Sequence, residues 1–328
     1  MKQIKDYIIF IVKLLVVLTI AYGLYNLLFW YLWLWDKGPN AYDESYQRAL
    51  LYQYDTIADS EREPMIIFYG PSYVPYGIDA DVISEYTGLR AQIFGTEVSV
   101  GDAFLTESLK NIAKEGDVLV YVLGPTGLYR EDFMTVTASI EGDRELLMAY
   151  WQQNEGNVAN LKSKLMWRKL YSLIMGNPVE YVRSKISTKE QAYSIYSFDD
   201  YGNMTLQRDG TRIDTNISPF DRVYFEDIDI ARLDNCNEFA SWCSENGITL
   251  LVTYQPFILG SLINDDDEIT QYCNQISEYV NADVISSQQE CLFPVEYFYN
   301  TIYHLNTEGA KAYSVVLGQA LYDYFNKD

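Results

Sequence analysis

Histidine is almost absent: His304 is the only one among 328 residues. Chemistry that needs an imidazole near neutral pH can therefore use one position only. Basic residues are scarce as well, with 24 Lys and Arg against 46 Asp and Glu and a formal charge of -22. That balance argues against a nucleic-acid surface built on phosphate neutralisation. Cysteine is missing from the first 235 residues; Cys236, Cys243, Cys273 and Cys291 follow, with six, 29 and 17 residues between neighbours. A zinc site needs closer Cys or His pairs, so no metal is expected, nor any other cofactor. The four thiols are either free and buried or joined in two disulfides, for which three pairings exist. Beyond Trp35 no second long apolar run occurs, yet 48% of the residues are hydrophobic, which excludes global disorder and suffices for a sizeable core.

What the sequence does have begins at its N-terminus. Residues 7–35 hold one charge, Lys13, and one strongly polar side chain, Asn26. The run from Leu14 to Trp35 alone meets the roughly 20 residues that cross a bilayer. A cleaved signal would have a shorter apolar region of about 7 to 15 residues and a small-residue cleavage site. Residues 7–35 are therefore expected to form a transmembrane helix in a lipid bilayer. Lys2, Lys5 and Lys13 crowd one end, and Phe29, Trp30, Tyr31, Trp33 and Trp35 crowd the other as an aromatic belt. The positive-inside rule then predicts a single-pass protein of the cell membrane, with residues 1–6 a cytoplasmic stub and the remainder extracytoplasmic. Residues 36–64 read as a polar, Tyr-rich linker or stalk, with a helix over Ala41 to Ala58.

From Met65 the pattern changes. Short apolar runs at Met65–Tyr69, Ala91–Phe94, Asp117–Leu123, Ile248–Tyr254 and Asp283–Ile285 alternate with helical stretches at Ile78–Tyr86, Gly101–Lys114, Asn235–Asn246 and Glu268–Val280. This alternation predicts a three-layer α/β domain over residues 65–328 built on a parallel sheet. A last amphipathic helix is expected from about Thr307 to Phe325. Residues 130–233 break the rhythm and read as an insertion over the edge or mouth of the sheet. Within it, Met204–Ile213 alternates around Asp209-Gly210, a hairpin signal.

Two residues stand where chemistry is expected. Ser72 lies one tight Gly70-Pro71 turn beyond the first strand, and ligands of open α/β sheets bind beyond the carboxyl ends of the strands. His304 lies on the loop entering the last helix, with Asn306 as its N-cap and Glu308 in its first turn. Gly70-Pro71-Ser72, Tyr76-Gly77-Ile78-Asp79, Gly95 after the second strand, and Tyr303-His304-Leu305-Asn306 with Gly309 resemble the SGNH, or GDSL-like, hydrolase superfamily, in particular its membrane-anchored acyltransferase-like branch.

The resemblance implies a flavodoxin-like SGNH fold in which Ser72 is the nucleophile and His304 the base. Asn300 stands where the family commonly carries the acid of the triad, and the backbone of Ser72 and Gly95 would form the oxyanion hole. Thr126 in Leu123-Gly124-Pro125-Thr126 stands where an asparagine often completes that hole. The implied function is an esterase or O-acyltransferase of cell-surface or exported polysaccharide. Its substrate is the polysaccharide or a polyol, and a membrane-bound protein can supply the acyl donor. A catalytically degenerate scaffold or polysaccharide-binding protein that supports a membrane acyltransferase is the alternative. Of the 30 tyrosines, Tyr73, Tyr76 and Tyr303 lie nearest the expected mouth and are candidates to stack on a sugar ring.

Overall fold

A computed structural model of the protein describes residues 2–34, 45–124, 131–186, 194–213 and 229–327. The chain divides into two compact units, one of residues 1–43 with 143–189 and one of residues 44–142 with 190–328.

The first unit contains α1 (Lys2–Leu34), α7 (Arg144–Gln153) and α8 (Glu155–Ile186). Residues Ile4–Leu34 of α1 form a helix long and apolar enough to cross a membrane. Its last turns are joined to α7 and α8 by aromatic and polar contacts. Phe29 stacks on Trp151 at 5.7 Å, and Trp33 meets the same ring edge-on at 5.0 Å. Tyr25 Oη lies 3.0 Å from Ser163 Oγ. Asn26, the polar residue in the apolar run, donates to Tyr22 O at 2.7 Å and accepts from Lys162 Nζ. Trp35, the last residue of the expected aromatic belt, lies outside the described residues.

The second unit is α/β. Its strands are β1 (Ile66–Tyr69), β2 (Ala91–Phe94), β3 (Val118–Leu123), β4 (Thr249–Tyr254) and β6 (Asp283–Val284), all paired in parallel in the order β2-β1-β3-β4-β6. Counted along the sheet strands this is 2-1-3-4-5, a doubly wound order whose direction reverses between β1 and β3. Every residue of β1, β2 and β3 is buried, so both faces are covered, as the unbroken apolar runs predict. The helices of the unit are α2 (Ala49–Ala58), α3 (Tyr73–Gly77), α4 (Ala80–Thr87), α5 (Asp102–Ile112), α6 (Phe133–Ile140), α9 (Ile230–Glu245), α10 (Asp266–Tyr279) and α11 (Thr307–Phe325). Two small pairs complete it: β5 (Phe257–Ile258) with β7 (Leu292–Phe293), and β8 (Phe298–Thr301) with β9 (His304–Leu305).

Two sequence expectations are corrected. The segment expected as a stalk contributes α2 to the sheet unit, with Ala49, Leu50, Gln53 and Ile57 at most 1% exposed. An apolar stripe on a short helix is stabilised by packing, so it is drawn onto the sheet rather than left in solvent. The stretch around Asp209-Gly210 forms no hairpin ladder. Its backbone bonds go elsewhere: Thr205 and Leu206 donate to Ser197 O, Arg208 N donates to Thr307 Oγ1 at 2.7 Å, Thr307 N donates to Arg208 O, and Arg212 N donates to Tyr299 O. Tertiary partners thus outcompete the local turn. The four cysteines are free and buried.

The amino ends of β1 and β3 are tied by a buried ion pair. Asp117 accepts two bonds from Arg62, at 2.7 and 2.6 Å, and one each from Met65 N and Lys114 N at 3.0 and 2.9 Å. Arg62 is 8% exposed and Asp117 0%. Arg62→Met removes the cation and leaves the carboxylate buried, a change that costs about 3–5 kcal/mol in such pairs. A loss of that size is expected in the unfolding free energy of the detergent-solubilised chain by urea titration; a loss below about 1 kcal/mol would show that the pair is not the tie described.

Candidate active site

The carboxyl ends of β1 and β2 approach each other closely. Gly70 N donates to Phe94 O at 3.3 Å. Gly95 has φ +143°, and a Cβ at that position would fall 1.8 Å from Gly70 O. Only glycine permits this contact. The tight exit from β1 through Gly70 and Pro71 delivers Ser72 as the first, half-buried residue ahead of α3. It stands beside the point where the strand order reverses.

His304 arrives from the other end of the sequence. β8 and β9 pair antiparallel, with Thr301 opposite His304, and Thr301 Oγ1 accepts from His304 N at 2.9 Å. Immediately after β9, Asn306 caps α11 by accepting from Gly309 N at 2.9 Å, while its amide donates to Glu296 O. A Cβ on Gly309 would lie 2.1 Å from Tyr297 O, so glycine there lets the helix start close under the hairpin. The imidazole is thus held from both sides of its own loop.

The three side chains named from the sequence meet. His304 Nε2 lies 2.8 Å from Ser72 Oγ, and His304 Nδ1 lies 3.1 Å from Asn300 Oδ1. An amide oxygen only accepts, so Nδ1 carries the proton and Nε2 presents its lone pair to the serine hydroxyl. This is the tautomer that a general base requires. Burial disfavours the imidazolium, and the positive charge of Arg208 adds to the effect, pushing the His304 pKa down to about 3. His304 is therefore neutral at physiological pH. Among the described residues, neither ring nitrogen bonds to a carboxylate.

Arg208 and Gln53 are the residues that sequence reasoning missed. Arg208 is 4% exposed; its guanidinium donates to the carbonyls of Leu305, Leu206 and Tyr76 and lies 5.3 Å from the Tyr76 ring centre. Burial lowers its own pKa. No local pattern in the sequence marks it. Gln53, fully buried, accepts from Gly95 N at 2.9 Å and donates to Gly95 O at 3.3 Å and Gly202 O at 3.0 Å. A signal for Gln53 did exist: it shares one helix stripe with Leu50 and Ile57, where a polar residue needs a buried partner.

The remaining expectations fare unequally. The Gly95 N–H, expected in an oxyanion hole, is engaged by Gln53. Thr126 lies outside the described residues. Tyr76 is 0% exposed and stacks on His304 at 4.1 Å with an 11° interplanar angle. Tyr73 is 3% exposed and donates to Val122 O at 3.0 Å. Both rings are spent on internal packing, which corrects their expected role in sugar stacking. Tyr303 is half-buried, edge-on to His304 at 5.0 Å, and keeps part of its surface exposed.

Comparison of the sequence with protein-family models and with curated proteins finds no match. The site is therefore read from its own geometry.

A histidine held neutral makes the fold sensitive to acid in a defined direction. The unfolded chain binds a proton at His304 near pH 6.5, whereas the folded chain resists it down to about 3. The stability that follows is complete above pH 6.5 and is lost as the pH falls toward 3. The melting temperature of the protein should fall over that window more steeply than that of His304→Gln. Parallel curves for the two would contradict the assigned protonation.

Proposed function

We propose that the protein is a membrane-anchored SGNH-type serine esterase or O-acyltransferase, acting outside the cytoplasm on ester groups of a cell-surface or exported polysaccharide. One observation carries this reading: Ser72, His304 and Asn300 form a hydrogen-bonded series at the carboxyl end of a parallel sheet, with Nε2 free of its proton and 2.8 Å from the serine hydroxyl. The doubly wound strand order and α1 are consistent with the SGNH fold and the anchor that the resemblance implies.

The steps follow from the geometry. Ser72 Oγ attacks an ester carbonyl carbon while its proton passes to His304 Nε2. The Ser72 backbone N–H, on the turn into α3, serves as a donor to the oxyanion that develops. Collapse expels the alcohol, which takes the proton back from His304 and leaves an acyl-serine. Water as the next nucleophile completes an esterase; a sugar or polyol hydroxyl completes a transferase. His304 accepts the proton of either and returns it to Ser72 when the acyl group leaves. Asn300 orients the ring but brings no charge to the imidazolium formed in attack, and the buried cation of Arg208 opposes that charge, so the chemistry is slow.

The second reading, a degenerate scaffold or polysaccharide-binding protein, is favoured by the Gln53 side chain on Gly95 N–H, which occupies a donor an oxyanion would need.

A fluorophosphonate probe separates the two. Labelling at Ser72 is expected in the purified full-length protein, with none in Ser72→Ala and a sharp fall in His304→Ala. No labelling at Ser72 would favour the scaffold. Asn300→Asp supplies the missing charge and should raise hydrolysis of a small aryl ester by roughly 10- to 100-fold, within the ~10⁴ that separates Asp from Asn in the serine-protease triad. An unchanged rate would remove Asn300 from the mechanism.

A further inference from the structure

The proposed chemistry makes no use of α8. The helix carries Lys162, Lys164, Arg168, Lys169, Arg183 and Lys185 against Glu155 and Glu180, a basic element in a chain of net charge -22. Trp167, Tyr171 and Ile174 are 69%, 58% and 67% exposed. Their spacing of four and three residues puts them on one helix face, in line with exposed Lys164. An exposed stripe of this kind in a water-soluble helix would be an adhesive surface.

Contacts to α1 fix the level of the stripe. Lys162 Nζ sits 4.7 Å from the Phe29 ring centre, and Lys169 Nζ sits 5.3 Å from that of Trp33. Trp167 lies between those two lysines in sequence and hence level with the last turns of α1. There α1 exposes aromatic rings of its own, Trp30 at 37% and Tyr31 at 59%. Tyrosine and tryptophan concentrate at the headgroup layer, where one part of the ring is apolar and the other wet. Lysine and arginine beside such rings attract anionic lipid.

We propose that the Trp167–Tyr171–Ile174 face of α8, with Lys164 and Arg168, is a second membrane contact. It seats in the headgroup layer of the leaflet where α1 ends and selects anionic lipid. Continuity with the aromatic end of α1 and the charge of the helix identify the occupant as lipid. The inference rests on α1 being a span; it is independent of the chemistry at Ser72.

The test uses the full-length protein in nanodiscs containing lipids brominated near the headgroup, which quench tryptophan on contact. The contribution of Trp167 is read as the difference between the protein and Trp167→Phe, and that of Trp30 from Trp30→Phe. Both are exposed or half-exposed side chains whose replacement keeps an aromatic ring. Both contributions should be quenched in phosphatidylglycerol discs. Quenching of the Trp167 contribution should drop at least twofold in phosphatidylcholine discs, and likewise when Lys164→Glu and Arg168→Glu are combined. Quenching of Trp30 without Trp167 would keep the span and overturn the proposal. Quenching of neither would overturn both. A Trp167 shielded from brominated lipid and from aqueous acrylamide alike would mean that protein covers this face, which also overturns it.

Discussion

The buried pair of Arg62 and Asp117 is the contact around which the sheet is aligned. A carboxylate with no exposed surface must be matched by donors, and Asp117 finds four bonds: two from Arg62 and one each from the backbones of Met65 and Lys114. Its own carbonyl accepts from Thr249 N, so the starts of β1, β3 and β4 are set relative to a single residue. With the amino edge aligned in this way, register is carried along three neighbouring strands to their carboxyl ends. There the chain can tolerate the tight exits at Gly70 and Gly95 and still deliver Ser72 to a definite position.

The candidate site places a neutral base in a setting that resists its charged form. Burial and Arg208 keep His304 unprotonated, which makes the lone pair available but makes the imidazolium costly. Arg208 is itself satisfied by main-chain carbonyls, including that of Leu305 next to His304. The same guanidinium that organises the loop therefore works against the charge the loop would have to accept. Tyr76, stacked on the imidazole, covers one face of the ring, while the ring edge carries the contacts to Asn300 and Ser72.

The first unit poses a different problem, that of ending an apolar helix in water. α1 ends in large rings, and these are shared with Trp151 and with two lysines of α8. Asn26, costly in an apolar environment, is satisfied within its own helix and by Lys162. Aromatic groups and Asn26 thus accumulate toward the last turns of the helix, Lys2, Lys5 and Lys13 lie toward its start, and the stretch between is largely apolar.

How much of this was legible depended on the range of the interaction. Strands buried on both faces announce themselves as unbroken apolar runs, so β1 to β4 were readable, and with them the alternation that defines the α/β class. Ser72 and His304 were readable because each stands at a local landmark, a glycine turn after a strand and a residue just before a helix cap, whereas Asn300 was named only through the family resemblance. Arg208, the partners of Gln53 and the fate of the Asp209-Gly210 turn were not, since each is decided by groups far away in sequence: Leu305 and Thr307 for Arg208, Gly95 and Gly202 for Gln53. The burial of Tyr73 and Tyr76 belongs to the same class, because whether a tyrosine faces a ligand or the core depends on what packs beside it. Local chemistry and periodicity set the elements and named the side chains that meet at the candidate site. Only the tertiary structure decided that the imidazole would be buried beside a cation, that the amide of Gly95 would be occupied, and that α2 would join the sheet, because these are properties of the space between segments and of no segment alone.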